Sequence, residues 1–470
     1  MKWLTTLLLL VSMTAIQAQP KILYYKQSSS AFAQKKIRKA DLAQDIKYWM
    51  QVMEESHVNL YHATTKKALQ SLATRLLAQL PDSFEHRKAT LLISTLAASL
   101  NEGHLGLAAD PVTDSLYVWQ SKRFPYFMRG INSEGFVVEV DLSKRTPKLE
   151  PGSTILSING HKSIDLIKKY SRYYGGLEAW KKVSVKDAIR KLLFMDDIKS
   201  PFEIVALQGS DTLRYSVDGF SRSEADSITK VLSRSILRPE PFLLKFEPGN
   251  IAVIEFNDMD RSHKEKFAAF LDSSFKIIQE RKAAGLVVDI RKNGGGDFAL
   301  GELLISYFTG KPYRNVSAVK YKISSHARAM ATLRNENFPF QNEKNGSVYS
   351  FKVDALTTPD SQQYRFTGKT ALLIGPSTFS SANMLANTIK DYQLATVFGQ
   401  PTAEPGNDFG EIFPFMLPRT HVIATAPVKM FVRANGNEKD FTGIQPDVFV
   451  NEKPGGEDET LQAAVNWLHS

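Results

Sequence analysis

Two segments far apart in this chain share one local design. The apolar run Leu286-Val287-Val288 leads into Asp289-Ile290-Arg291-Lys292-Asn293-Gly294-Gly295-Gly296. The apolar run Ala371-Leu372-Leu373-Ile374-Gly375-Pro376 leads into Ser377-Thr378-Phe379-Ser380-Ser381-Ala382-Asn383. Each predicts a buried strand, a tight turn and an amphipathic helix, and strands alternating with helices make an α/β layout. Glycine lets a backbone approach a ligand closely, and a helix start offers free N–H groups to developing negative charge. A serine at such a turn is placed as an acyl-transfer nucleophile. The pair of turns therefore points to serine-hydrolase chemistry, with Ser380 as nucleophile. The N–H of Ser381 is the first oxyanion donor, and Gly294 or Gly295 supplies the second. Taken singly, each turn has a plainer explanation: Ser-Ser pairs commonly cap helices, and three glycines can be a flexible turn.

A serine nucleophile needs a base, and the chain has nine histidines. His104 follows Gly103 where a helix passes into a loop, so its side chain can face a cleft. His421, read as lying on a strand of the core domain, is the main competitor. His57 and His62 fall on an early helix and the loop after it. His86, His161, His263, His326 and His469 read as solvent-facing. The third member is a carboxylate that orients the imidazole and stabilises its charged form.

Composition narrows the classes. A length of 470 residues allows about three domains, each with its own core. There is no cysteine, which excludes a cysteine nucleophile, thiolate metal sites and disulfides. The net charge of +10 is spread along the chain without a nucleic-acid motif, so it reads as a solvated basic surface. Lys2, the apolar run Leu4 to Val11 and small residues up to Ala18 resemble a secretory leader over residues 1–18. That run is too short for a comfortable membrane span, and no later segment is long and apolar enough. The chain is thus expected to be exported, to a periplasm or the exterior.

Residues 19–120 read as helical: Trp49 to Met53, Leu69 to Leu80 and Leu91 to Leu100 recur at helix spacing, and Gly103 is expected in the left-handed C-cap. Residues 121–225 read as short strands with one or two helices, including hairpins at Asn159-Gly160 and Gly209-Ser210-Asp211. Residues 239–470 alternate strands and helices, interrupted by a polar excursion from Lys311 to Arg365 read as a strap or lid.

With these elements in place, the chain resembles the tail-specific (C-terminal-processing) serine protease family, in its tricorn-like branch. The motifs behind that are Asp289 to Gly296, Phe379-Ser380-Ser381-Ala382 and Gly443-Ile444-Gln445-Pro446-Asp447, with Asn101 to Leu105 matching an "Asp-Gly-His" element. Leu149 to Gly160 resembles the family's PDZ-like segment. The resemblance implies a crotonase/Clp-like ββα protease core, a helical N-terminal region and a small PDZ-like β-rich domain at 121–225. Gly399-Gln400-Pro401-Thr402-Ala403-Glu404-Pro405-Gly406 carries proline where the Ser-Lys branch keeps its lysine, which disfavours a Ser-Lys dyad. In the tricorn-like branch the base maps to His104, and the acid to Asp440 with Glu438 as close competitor. Asn383 stands where the family often has Glu. The implied activity is hydrolysis of peptides or unfolded protein without metal or organic cofactor. A catalytically inactive peptide-binding scaffold of the same fold is the alternative. An acyl-CoA enzyme of the crotonase fold is disfavoured by the leader and the serine.

Overall fold

Both turns lie at strand ends of one six-stranded sheet. Its order is Val448–Phe449, Thr396–Gly399, Thr370–Ile374, Gly285–Asp289, Ile251–Phe256 and Phe242–Glu247. Every neighbouring pair is parallel except the last, where Phe242–Glu247 closes one edge antiparallel. The computed structural model describes residues 36–470 apart from 225–239, 334, 336, 339 and 452–456. The leader expected at residues 1–18 lies outside the described residues.

The strands are apolar on both faces because helices cover both. Ala252, Ile254, Leu286, Val288, Leu372 and Ile374 pack against the helices Lys264–Glu280, Phe298–Ser306 and Ser381–Tyr392. Their alternate neighbours Ile251, Val253, Val287, Ala371 and Leu373 meet the C-terminal helix Glu459–His469 through Leu461, Ala464, Val465 and Leu468. This is the period of two that a strand imposes on its side chains. Burying each such valine, leucine or isoleucine side chain contributes about 1.5–3 kcal/mol.

The sheet belongs to a unit formed by Tyr117–Val319, Lys352–Asp408 and Phe431–Ser470. The same unit holds the β-rich insert. Its strands run in the order Tyr126–Ile131, Phe136–Asp141, Thr154–Ile158, Phe202–Gln208 and Asp211–Val217, all antiparallel, with helices Ser163–Ser171 and Glu178–Met195. Asn159 and Gly160 both have positive φ, as a two-residue hairpin turn requires.

The other unit gathers residues up to Leu116, Lys320–Phe351 and Phe409–Met430. Helices Lys39–Ser56, Lys66–Ala78 and His86–Ala98 form where the periodicity predicts them. Trp49, Val52, Met53 and Leu96 share a core with Phe413, Leu417 and Val422. This core thus draws on segments from both sides of the expected boundary at residue 120. The polar excursion, read as a strap or lid, holds the strand Val316–Lys322, the helix Ser325–Leu333 and the strand Val348–Lys352. Those strands join Ile423–Arg433 and Asp408–Met416 in a four-stranded sheet.

Some local expectations change. The left-handed residue after His86–Ala98 is Asn101, at φ 59°, and not Gly103; asparagine tolerates that region because its short polar side chain bonds locally. His421 is not on a strand: it sits in the turn before Ile423–Arg433, at φ 58°. His86 and His326, read as solvent-facing, are 8% and 1% exposed.

Candidate active site

Thr370–Ile374 is buried along its length and ends at Gly375-Pro376. The Thr378 hydroxyl accepts the Gly375 N–H at 3.1 Å and donates to the Ile290 carbonyl at 3.0 Å. The Phe379 N–H donates to the Asn293 carbonyl at 3.0 Å. These bonds force the chain to reverse at Ser380, whose φ is 53° and ψ −125°. A β-carbon is disfavoured there, and the residue is held on a sharp strand-to-helix elbow. The helix Ser381–Tyr392 starts at once, so the Ser381 N–H is one of its unbonded first-turn donors. The Ser381 hydroxyl donates to the Gly296 carbonyl at 2.6 Å.

The glycine turn is built against that elbow. Asn293 is fully buried; its amide donates to the Phe256 carbonyl at 2.8 Å and its oxygen accepts the Gly295 N–H at 2.9 Å. Gly295, at φ 91°, lies so close that a β-carbon would stand 2.7 Å from the Phe379 carbonyl oxygen and from Ser380 Cβ, and 2.8 Å from Ser381 N. Gly296, at φ 144°, would meet the Met259 carbonyl oxygen at 2.2 Å. Of the two expected oxyanion donors on this turn, Gly295 has its N–H committed to Asn293. The Gly294 N–H has no partner among the described residues, and its surroundings are open. Asp289 and Arg291 do not face this chemistry. Arg291 forks onto Asp289 (2.7 Å) and onto Asp458 (2.7 Å), the N-cap of the C-terminal helix.

The loop after Thr396–Gly399 brings a residue that the sequence reading did not assign. Glu404 is 1% exposed, and its carboxylate accepts the N–H of Ser380 itself. The loop is braced on several sides. Thr402 donates to the Glu404 carbonyl at 3.0 Å and accepts the Ile444 N–H at 2.8 Å, while Asn383 donates to the Pro405 carbonyl at 2.8 Å. Gly443 approaches Thr402 so closely that a β-carbon would sit 1.9 Å from its carbonyl oxygen. The Gly-Ile-Gln-Pro-Asp element thus supports the Glu404 loop. The only trace of Glu404 in the sequence is an acid in the stretch where Ser-Lys relatives keep their base.

Asp440, expected as the orienting acid, is engaged elsewhere. One oxygen accepts the Thr442 N–H (3.0 Å) and hydroxyl (2.6 Å); the other accepts from Arg433, which also pairs with Asp391 at 2.7 Å. Burial works against it, yet the Thr442 bonds and the Arg433 charge hold the Asp440 carboxyl below its ordinary range. Glu438 is exposed.

His104 belongs to the other unit, half-buried on the loop after His86–Ala98. Two residues earlier, buried Glu102 accepts a hydrogen bond from His57 Nε2 at 2.5 Å. His57 Nδ1 accepts the Asn59 N–H at 2.9 Å, which fixes the proton on Nε2. His57 and Glu102 therefore anchor the loop that carries His104.

Residues 250–450 match the model of peptidase family S41. Through that stretch, which is under half of its length, the chain is similar to the S41 family of tail-specific peptidases. It is accordingly a serine-type peptidase, a hydrolase. Among solved structures it is similar to mature CPAF, at 13% identity, with 92% of this chain and 96% of that one covered and a TM-score of 0.58. It is also similar to mature CPAF complexed with lactacystin, at 15% identity, covering 92% and 97%, with a TM-score of 0.59. At those identities the likeness is one of fold, and it spans the S41 region, the insert and the helical N-terminal part alike.

Proposed function

We propose that this S41 peptidase cleaves peptide bonds through an acyl-enzyme on Ser380, with His104 as the base. The observation that carries the reading is the strained backbone of Ser380, set on a helix start and pressed by the glycine turn. His104 takes the Ser380 proton as Oγ attacks the substrate carbonyl, then returns it to the leaving amine. Water repeats the sequence to release the acyl group. The developing oxyanion is held by the N–H groups of Ser381 and Gly294; each such donor is worth about 10²–10³ in turnover. The part left to Asp440 is to fix the segment 433–447 through Arg433 and Thr442.

The substrates are peptides or unfolded protein, and the PDZ-like insert positions them without supplying a catalytic group. The leader-like residues 1–18 support export, and no described helix is long and apolar enough to cross a membrane. The competing reading is an inactive peptide-binding scaffold of the same fold.

A fluorophosphonate serine probe separates the two. Wild-type protein labels at Ser380, Ser380→Ala does not, and peptide turnover in the variant falls by up to about a millionfold with the fold retained. Labelling of the wild type slows as pH drops and the base takes up a proton, and His104→Ala removes that dependence along with most of the rate. An unlabelled wild type, or an equally labelled Ser380→Ala, would reject the reading.

A further inference from the structure

We propose that Glu404, and not Asp440, is the carboxylate that stabilises the charged base of this site. The inference rests on the assignment of Ser380 as nucleophile. When a base takes the Ser380 proton it becomes a cation beside Ser380, in surroundings where unpaired charge is costly. Glu404 is the fully buried carboxylate one hydrogen bond from the Ser380 backbone. The bonds of Thr402 to the Glu404 carbonyl and of Asn383 to the Pro405 carbonyl, with the close approach of Gly443 to Thr402, hold the loop that carries it. Asp440 would first have to leave Arg433 and Thr442. Taking the Ser380 N–H also removes that group from the oxyanion hole, which leaves the donors of Ser381 and Gly294.

Other charges face the Glu404 loop. Asp408, at the start of Asp408–Met416, brings a carboxylate oxygen within 4.8 Å of one on Glu404. Arg433, at the end of Ile423–Arg433, lies against Gly406 and is neutralised by Asp391 and Asp440. The helix Ser381–Tyr392 presents the neutral Asn383 to the loop. Glu404 acts through the base and is a positioning residue. An anion within ~4–6 Å raises the pKa of a cationic acid by about 1–3 units. Removing that charge therefore lets the base work at lower pH, while a merely structural residue leaves the base pKa alone.

The test is the rate of Ser380 labelling by a fluorophosphonate against pH, in wild type, Glu404→Gln, Asp440→Asn and Asp408→Asn. Glutamine keeps an oxygen to accept the Ser380 N–H, and thermal unfolding followed by circular dichroism checks each fold. Glu404→Gln should move the acidic limb down by about 1–3 units and slow the plateau at least tenfold. Asp440→Asn and Asp408→Asn should leave the limb where wild type has it. A limb unmoved by Glu404→Gln, or moved by either other variant, overturns the assignment. The Asp440→Asn arm decides even if Glu404→Gln does not fold: a shifted limb rejects Glu404, and an unshifted one excludes its rival. Failure of wild-type Ser380 to label would instead remove the nucleophile on which the inference stands.

Discussion

Ser380 holds a backbone conformation that costs about 1–3 kcal/mol for a residue with a side chain, and its neighbours sustain it. Glu404 accepts its N–H, Asn293 anchors Phe379, and the Met384 N–H reaches back to the Ser380 carbonyl at 2.9 Å. Gly295 completes the brace by having no side chain. Gly295→Ala forces a methyl against the Phe379 carbonyl and the Ser380 side chain at a φ that alanine disfavours. The variant should lower the thermal midpoint and abolish probe labelling. Gly294→Ala, with open space around it, should keep the midpoint of the wild type. Equal midpoints for the two would show that the approach of Gly295 is not what holds the elbow. Asn293 teaches the same lesson. In the sequence it is one letter of a motif, whereas in the fold its buried amide ties the end of one strand to the glycine turn and its backbone carbonyl holds the serine turn at Phe379.

Elements are held to each other by different chemistry. The C-terminal helix Glu459–His469 packs through leucine, alanine and valine, and its N-cap Asp458 is pinned by Arg291. Burial opposes it, but the Arg291 bonds hold the Asp458 carboxyl below its ordinary range. A depressed carboxyl stabilises the fold above its unfolded pKa, about 3.9, and that contribution fades as pH falls toward the lower folded value. Arg291→Gln leaves two carboxylates facing each other without their cation. It should cost about 3 kcal/mol at neutral pH, read from urea unfolding, and part of that deficit should vanish near pH 3. A loss that is constant with pH would mean that packing and not charge is at stake. The insert makes its own contact: Trp180, on Glu178–Met195, stacks on Phe379 with ring centroids 3.8 Å apart and planes 9° from parallel. The residue before Ser380 is thus covered by the β-rich insert. Trp180→Ala should change KM for long peptides several-fold while small-probe labelling of Ser380 changes less than twofold. Equal effects on both would show that Trp180 shapes the elbow itself.

At the scale of a whole unit, the one that holds the helical N-terminal part responds to acid through a group that the sequence reading placed on the surface. His326 is buried against Phe413, with ring centroids 5.3 Å apart, and burial lowers its pKa despite the opposing charge of Glu55. The unfolded chain takes up this proton from about pH 6.5 downward while the folded chain resists, so stability declines below that pH until the lower folded value is reached. His326→Leu should reduce the drop in urea midpoint between pH 7.5 and 5.5, and an unchanged drop would assign it to other histidines. Strand and helix positions, both turns, the Asn159-Gly160 hairpin and the S41 resemblance were legible along the chain, because periodicity and turn chemistry act over a few residues. The same local logic misjudged His326 and His421, whose surroundings come from segments remote in sequence. It missed the joining of Lys320–Phe351 and Phe409–Met430 to the helical N-terminal part, since nothing local marks which edge a strand will pair with. No motif displays the bond from Glu404 to an N–H 24 residues away, or the ties of Asp440 to Arg433 and Thr442. Residue type and spacing were enough to mark the two turns that meet at Ser380, but which carboxylate stands beside Ser380 depended on how separate strands close into one sheet.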